Sequence, residues 1–242
     1  GAAVIADHAA CPFRAFAVHR LDAEAIEAPH AWLDARERGT LVHRVLAAAW
    51  GELKARQALE ATAPAALDTI LEKAAIEAIA RARRDRPTVL AGRFAEIEKS
   101  RLMRLARDWL ALERARGEFT VIAREDKRAL EIGGLKLNVR LDRVDQTAAG
   151  ERIVIDYKTG EPKLASMLGA RPEEPQLPLY LVASEPGAAG VAFAQVRAGD
   201  LQEEGPGERG GAPLGERLRL GLAEPRERPR GLAAVGGELR PS

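Results

Sequence analysis

The chain has 242 residues, 46% hydrophobic and 30% charged, which suits one soluble domain or a domain with an appendage. Its 37 Lys+Arg against 36 Asp+Glu give no bulk charge signal for nucleic-acid binding, and 4% aromatics argue against extended base-stacking platforms. A single cysteine, Cys11, excludes an internal disulfide framework, a CxxC zinc site and a self-contained iron–sulfur cluster.

Residues 1–38 are mostly small, apolar and charged. Asp7, His8 and Arg14 fall where a signal peptide needs its apolar stretch, and no run approaches ~18 apolar residues, so a cytoplasmic location without a membrane span is expected. The start at Gly1-Ala2 without Met reads as a piece of a longer protein. Cys11-Pro12-Phe13-Arg14-Ala15-Phe16 places Pro12 in a first helical turn and Phe13 and Phe16 on one face. Val42, Val45, Leu46, Ala49, Trp50 and Leu53 recur at helical spacing and predict a helix over 39–60, with Thr40 near its cap. Two further amphipathic helices are predicted over 65–84, stopping before Pro87, and over 93–116. Residues 81–116 carry a local charge of +6, which reads first as a solvated helix face and second as a surface for phosphate or an acidic partner.

At Phe119 the period changes. Phe119–Leu130 reads as a strand and Gly133-Gly134 as a turn. Leu135, Leu137, Val139 and Leu141 then alternate with Lys136, Asn138, Arg140 and Asp142, a period of two. Gln146–Gly150 is turn material and Arg152–Lys158 a second strand of the hairpin, Ile153, Ile155 and Tyr157 facing opposite to Val154, Asp156 and Lys158. Pro175 opens a helix to about Ala183, and Val191–Arg197 is a last strand. From Gly199 onward Gly and Pro predict loop, with one short helix near Glu216–Leu222. Helices first, then a hairpin, then helix and strand, imply a mixed α/β or α+β fold with a mixed sheet. The expected parts are a helical segment 1–118, a core 119–198 and a Gly/Pro-rich segment 199–242, together one structural domain.

Acidic-x-Lys occurs four times, at 52–54, 125–127, 156–158 and 161–163, and by itself marks a surface pair. Only Asp156 and Lys158 lie on a strongly apolar strand, where positions i and i+2 face the same side about 6.5–7 Å apart. A turn centred near Ala149 pairs residues whose numbers sum to 298, Val144 with Val154 and Asp142 with Asp156. Two carboxylates then stand about 4.5–5.5 Å apart, which is destabilising without a cation between them. Mg²⁺ or Mn²⁺, a hard ion taking carboxylate oxygens, is the natural filler, with Lys158 placed to orient a water or offset negative charge. The alternative is an Asp–Lys ion pair with a second Asp facing water. Asp145 is expected to pair with Arg143 or Arg152 near the turn. His8, His19 and His30 have no comparable context.

Leu141-Asp142-Arg143-Val144-Asp145 followed by Ile153-Val154-Ile155-Asp156-Tyr157-Lys158-Thr159-Gly160 closely resembles the core of RecB-like nucleases of the PD-(D/E)XK superfamily. Gly39-Thr40-Leu41-Val42-His43 resembles that family's Gly-x-x-x-His element, and Gln176-Leu177-Pro178-Leu179-Tyr180 its Gln-x-x-x-Tyr element. Cys11-Pro12-Phe13 resembles the segment opening these domains in AddB-type helicase–nucleases and CRISPR-associated relatives. The resemblance implies a restriction-endonuclease-like core. It implies Asp142 and Asp156 as ligands of Mg²⁺ or Mn²⁺, joined by His43 and the main-chain carbonyl of Tyr157, with Lys158 as the catalytic lysine. Gln176 and Tyr180 would border the DNA strand, and Glu125 would be the upstream acidic residue of some members. Iron–sulfur relatives carry three more cysteines after the core. None follows Cys11 here, so no cluster is expected and Cys11 is expected to be buried.

The implied activity is metal-dependent hydrolysis of DNA, as an exonuclease of repair or recombination, acting on ends or single strands beside a helicase domain or subunit. No Gly-x-x-x-x-Gly-Lys-[Ser/Thr] loop is present to drive unwinding. The competing class is a catalytically silent nuclease fold that holds DNA or acts as a scaffold. A bare structural domain, its +6 segment meeting an acidic partner, is a third.

Overall fold

The computed structural model describes residues 3–23, 32–160, 172–180, 187–197 and 218–221. Two short helices, α1 (Ala3–Ala10) and α2 (Pro12–Leu21), precede four more: α3 (Ala35–Leu53), α4 (Arg56–Ala61), α5 (Pro64–Ala82) and α6 (Gly92–Arg114). A long hairpin follows, β1 (Phe119–Ile132) and β2 (Leu135–Thr147), then β3 (Arg152–Lys158), α7 (Gln176–Leu179), β4 (Ala188–Gln195) and β5 (Leu218–Gly221). The sheet runs in chain order β1 to β5. Its pairs are antiparallel except β3 with β4, which are parallel. This is the mixed α/β, restriction-endonuclease-like arrangement that the sequence implies. No described helix is long and apolar enough to cross a membrane.

The two faces of β3 explain its apolar run. Ile153, Ile155 and Tyr157 enter a core shared with Leu46 and Trp50 of α3, Leu71 of α5 and Leu102 and Trp109 of α6. Val154 enters a second core with Leu141, Val144, Phe193 and Tyr180, against which Val4 and Ile5 of α1 pack. A strand covered on both faces loses the alternation of a surface strand and becomes continuously hydrophobic.

Several elements depart from the sequence reading. α3 begins at Ala35, because Asp34 and Glu37 form a capping box: Glu37 N–H donates to Asp34 Oδ1 at 2.6 Å, and Asp34 N–H to Glu37 Oε2 at 2.9 Å. Thr40 is therefore inside the helix, where its hydroxyl donates to Arg36 O. The predicted 39–60 helix is two helices, broken where Lys54 takes φ 63°. Leu218–Gly221 pairs with β4 as a strand where a short helix was expected, its ladder supplied by an edge that local propensity does not register. Cys11 is exposed, not buried, because it precedes α2 outside either core. Pro12 does open α2, but Phe13 and Phe16 are both exposed. The helix after Pro175 is seen as α7, its expected continuation toward Ala183 lying outside the described residues, as do Glu161 and Lys163.

The +6 segment divides between paired and solvated groups. Lys99 pairs with Glu72 and Glu96, Arg101 with Glu98 and Arg107 with Asp68. Most of that charge is a solvated, ion-paired helix face.

Candidate metal centre

The sequence-derived register holds. Arg143 faces Ile155, Val144 faces Val154 and Asp145 faces Ile153. Extending this ladder by one residue sets Asp142 opposite Asp156. There the backbone pairing gives way to a side chain: Tyr157 N–H donates to Asp142 Oδ2 at 3.0 Å. On the other edge of β2, the pairs Arg124–Arg143 and Asp126–Leu141 bracket Glu125 against Asp142. Three carboxylates thus stand in a row across β1, β2 and β3.

Glu125 carries φ 47°, an uncommon backbone for a non-glycine residue within a strand. Its acidic-x-Lys pattern reads in the sequence as a surface pair. The structure instead brings it beside His43 and Asp142, with one ligand atom from each of the three lying within 4.8 Å of the others. His43 arrives from α3, its Nδ1 3.2 Å from Asp142 Oδ2. Gly39, one turn earlier, is buried beside Thr159, just past the end of β3, where a Cβ would make an ordinary contact at 3.4 Å with Thr159 Oγ1.

Asp156 stands outside that trio and is held separately. Gln176 Nε2 donates to its Oδ1 at 3.0 Å, and Lys158 Nζ lies 3.0 Å from its Oδ2. That Oδ2 is buried and makes no hydrogen bond, the ammonium approaching as an ion pair outside hydrogen-bond geometry. Lys158 also lies 3.7 Å from Glu174 Oε2 and over the Phe193 ring. Gln176 Nε2 further donates to Tyr180 Oη, and Tyr180 Oη donates to Arg140 O at 2.6 Å. His43, Arg140, Asp142, Asp156, Lys158 and Gln176 line one open cleft of about 340 Å³. The structure therefore gathers His43, Asp142, Asp156, Lys158, Gln176 and Tyr180 at one place. Tyr157 contributes main chain to this edge, while its ring points into the helical core and its hydroxyl meets Arg143.

The electrostatics are those of crowded anions. Burial, then the charge of Asp142, pushes Asp156 up to about 6 against the opposing pull of Lys158. Burial likewise raises Glu125, opposed by Arg140. For His43 burial works toward a lower value, but its bond to Asp142 and the nearby carboxylates prevail and raise it. Lys158, despite partial burial, is raised by Asp156 and Glu174 and stays an ammonium.

A divalent ion suits this donor set. Hard oxygen ligands with one imidazole suit Mg²⁺ or Mn²⁺, and two carboxylates and one imidazole converge here with ligand atoms within 4.8 Å of one another. Asp156 and Glu125 are both raised despite the cations beside them, so a further positive charge would favour their ionised forms.

Behind the sheet lies a second charged cluster, which the sequence reading foresaw only in the Arg143–Asp145 pair. Arg143 donates Nε and Nη2 to the two oxygens of Asp145, and Nη1 to Glu113 Oε1 and Tyr157 Oη. Arg116 adds contacts to Glu113 and Asp145. The signal for Glu113 is its fourth-residue spacing from Trp109, whose Nε1 donates to it. Arg140 was also missed as a site residue, although the period of two places it on the face of Asp142. Nothing in the sequence pattern marked Glu174.

Residues 2–229 match the PD-(D/E)XK nuclease superfamily. No curated protein matches the chain. With nearly its whole length matched, the chain belongs to this superfamily.

Proposed function

We propose that this member of the PD-(D/E)XK nuclease superfamily is a Mg²⁺- or Mn²⁺-dependent deoxyribonuclease of the RecB-like type. It acts as an exonuclease on DNA ends or single strands in cytoplasmic repair and recombination, beside a helicase domain or subunit. The observation that carries this reading is the row of Glu125, Asp142 and Asp156 across three strands, closed by His43 and flanked by Lys158. The helicase and repair context rests on the resemblance of the Gly39–His43, Asp142–Asp145, Asp156–Gly160 and Gln176–Tyr180 elements to RecB-like nucleases.

His43, Glu125, Asp142 and Asp156, with the Tyr157 carbonyl, would hold the metal. The bound ion supplies Lewis acidity toward water and phosphate oxygens. Lys158 remains charged, so its part is electrostatic: it orients the attacking water and offsets the charge that develops on the phosphoryl group. Gln176 fixes the orientation of Asp156 and, with Tyr180, borders the substrate strand. The expected products end in 5′-phosphate and 3′-hydroxyl. A silent, DNA-holding fold would have no use for a complete set of these groups.

The test is incubation with end-labelled linear and with circular single-stranded DNA in Mg²⁺ or Mn²⁺. Cleavage of the linear strand alone, abolished by EDTA and reduced at least about 100-fold by Lys158→Ala, is the expected result. Cleavage of the circle would replace the exonuclease reading with an endonuclease one. Absence of metal-dependent cleavage, with DNA binding that Lys158→Ala leaves unchanged, would favour the silent reading.

A further inference from the structure

Arg140 occupies an unusual position at the cleft. It precedes Asp142 by two residues on β2 and lines the same opening as His43, Asp142 and Lys158. Its main chain is pinned: Tyr180 Oη donates to Arg140 O, and Gln176 links Tyr180 to Asp156. Its side chain is held differently, by a carboxylate of the trio itself, with Arg140 Nε 3.1 Å from Glu125 Oε2. That pair is half open to solvent, the two side chains being 53% and 29% exposed. An ion pair in such surroundings contributes at most about 1 kcal/mol. A divalent ion drawing Glu125 into its shell competes for the same oxygens and displaces so weak a partner.

We propose that Arg140 is a substrate-phosphate-binding residue whose guanidinium is released from Glu125 when a divalent cation takes that carboxylate. This rests on the metal-dependent nuclease reading above and deepens it. Once released, the planar fork of donors matches two oxygens of one phosphate, a geometry that the point charge of Lys158 does not offer. The pinned backbone limits how far the side chain travels, so it stays at the mouth of the cleft. Without the ion, Glu125 and the neighbouring acids repel phosphate and keep Arg140 engaged. Metal therefore binds before the DNA backbone is gripped, and the same carboxylate reports metal occupancy to the substrate contact.

Binding of a fluorescein-labelled single-stranded oligonucleotide is followed by anisotropy, in EDTA and in Ca²⁺ as the probe cation. Gels confirm that the strand stays intact, calorimetry confirms that the wild type and the Arg140 single variants bind Ca²⁺, and circular dichroism confirms that each variant is folded. The wild type is expected to bind about tenfold more tightly in Ca²⁺ than in EDTA, the scale of a charge-assisted contact. Arg140→Ala should match the wild type in EDTA and lose that gain in Ca²⁺, with Arg140→Lys recovering part of it. Glu125→Gln should tighten binding in EDTA by freeing Arg140, and adding Arg140→Ala should remove that improvement. The proposal is overturned if Arg140→Ala keeps the Ca²⁺ gain, or weakens binding equally in both conditions. It is also overturned if the double variant keeps the improvement of Glu125→Gln. A wild type that binds no DNA in either condition sinks the nuclease reading and the proposal together. Binding that does not depend on Arg140 sinks the proposal alone.

Discussion

Asp156 sits on a strand between Val154 and the Phe193 neighbourhood, almost fully buried, with a carboxylate that burial and Asp142 make hard to ionise. Its value in the folded chain, about 6, is above the ordinary 3.8. Its contribution to stability is thus complete below the unfolded value and is lost as pH rises through about 6. Metal-free protein in EDTA should melt at progressively lower temperature between about pH 4 and pH 6. Asp156→Asn should flatten most of that fall and raise the neutral-pH melting temperature, leaving a smaller slope from the raised Glu125 and Asp145. Scanning calorimetry of the two proteins decides this, and an equal slope in both would contradict it. The sequence made Asp142, Asp156 and Lys158 legible because a period of two and a short turn fix both face and register. Glu125 is reached only through the family resemblance, since a positive φ inside a strand leaves no mark on hydropathy or spacing.

The elements behind the site hold it in place through buried charge. Arg143 stacks on Trp50, its guanidinium carbon 4.2 Å from the ring centre, and ties α6 to β2 and β3 through Glu113, Asp145 and Tyr157. Removing one member of such a cluster leaves its partners uncompensated, so Arg143→Leu should destabilise the fold by about 3–5 kcal/mol in denaturant titration. A loss below about 1 kcal/mol would mean that Arg116 alone satisfies both acids. On α3, Asp34→Ala should cost about 1 kcal/mol through the lost cap. Among the elements, β3 was read to the residue, and α5 and α6 to within two, because their apolar periods are uninterrupted. α3 starts four residues before Gly39, because Asp34-Ala35-Arg36-Glu37 spells a capping box that outweighs the Gly39-Thr40 signal. β5 pairs with a distant strand, and no local pattern announces such pairing.

At the scale of the molecule, the sheet separates two apolar cores, and the metal-ligand candidates come from separate points of the chain. His43 belongs to α3, Glu125 to β1 and Asp142 to β2. An ion bound among them cross-links a helix to a hairpin and relieves the repulsion that burial creates. Cation at about 100 times its dissociation constant should stabilise the folded chain by about 2.7 kcal/mol, seen as a rise in melting temperature that EDTA reverses. The order of helices, hairpin, helix and strand was enough to foresee a mixed sheet, but not which helices face it.

The most direct measurement is a calorimetric titration of the wild type and of Asp142→Asn with Mn²⁺. The account predicts saturable binding by the wild type and, in the folded variant, a loss of affinity of at least about tenfold. Equal binding by both proteins, or none by a folded wild type, would contradict the assignment of this cleft as a metal centre.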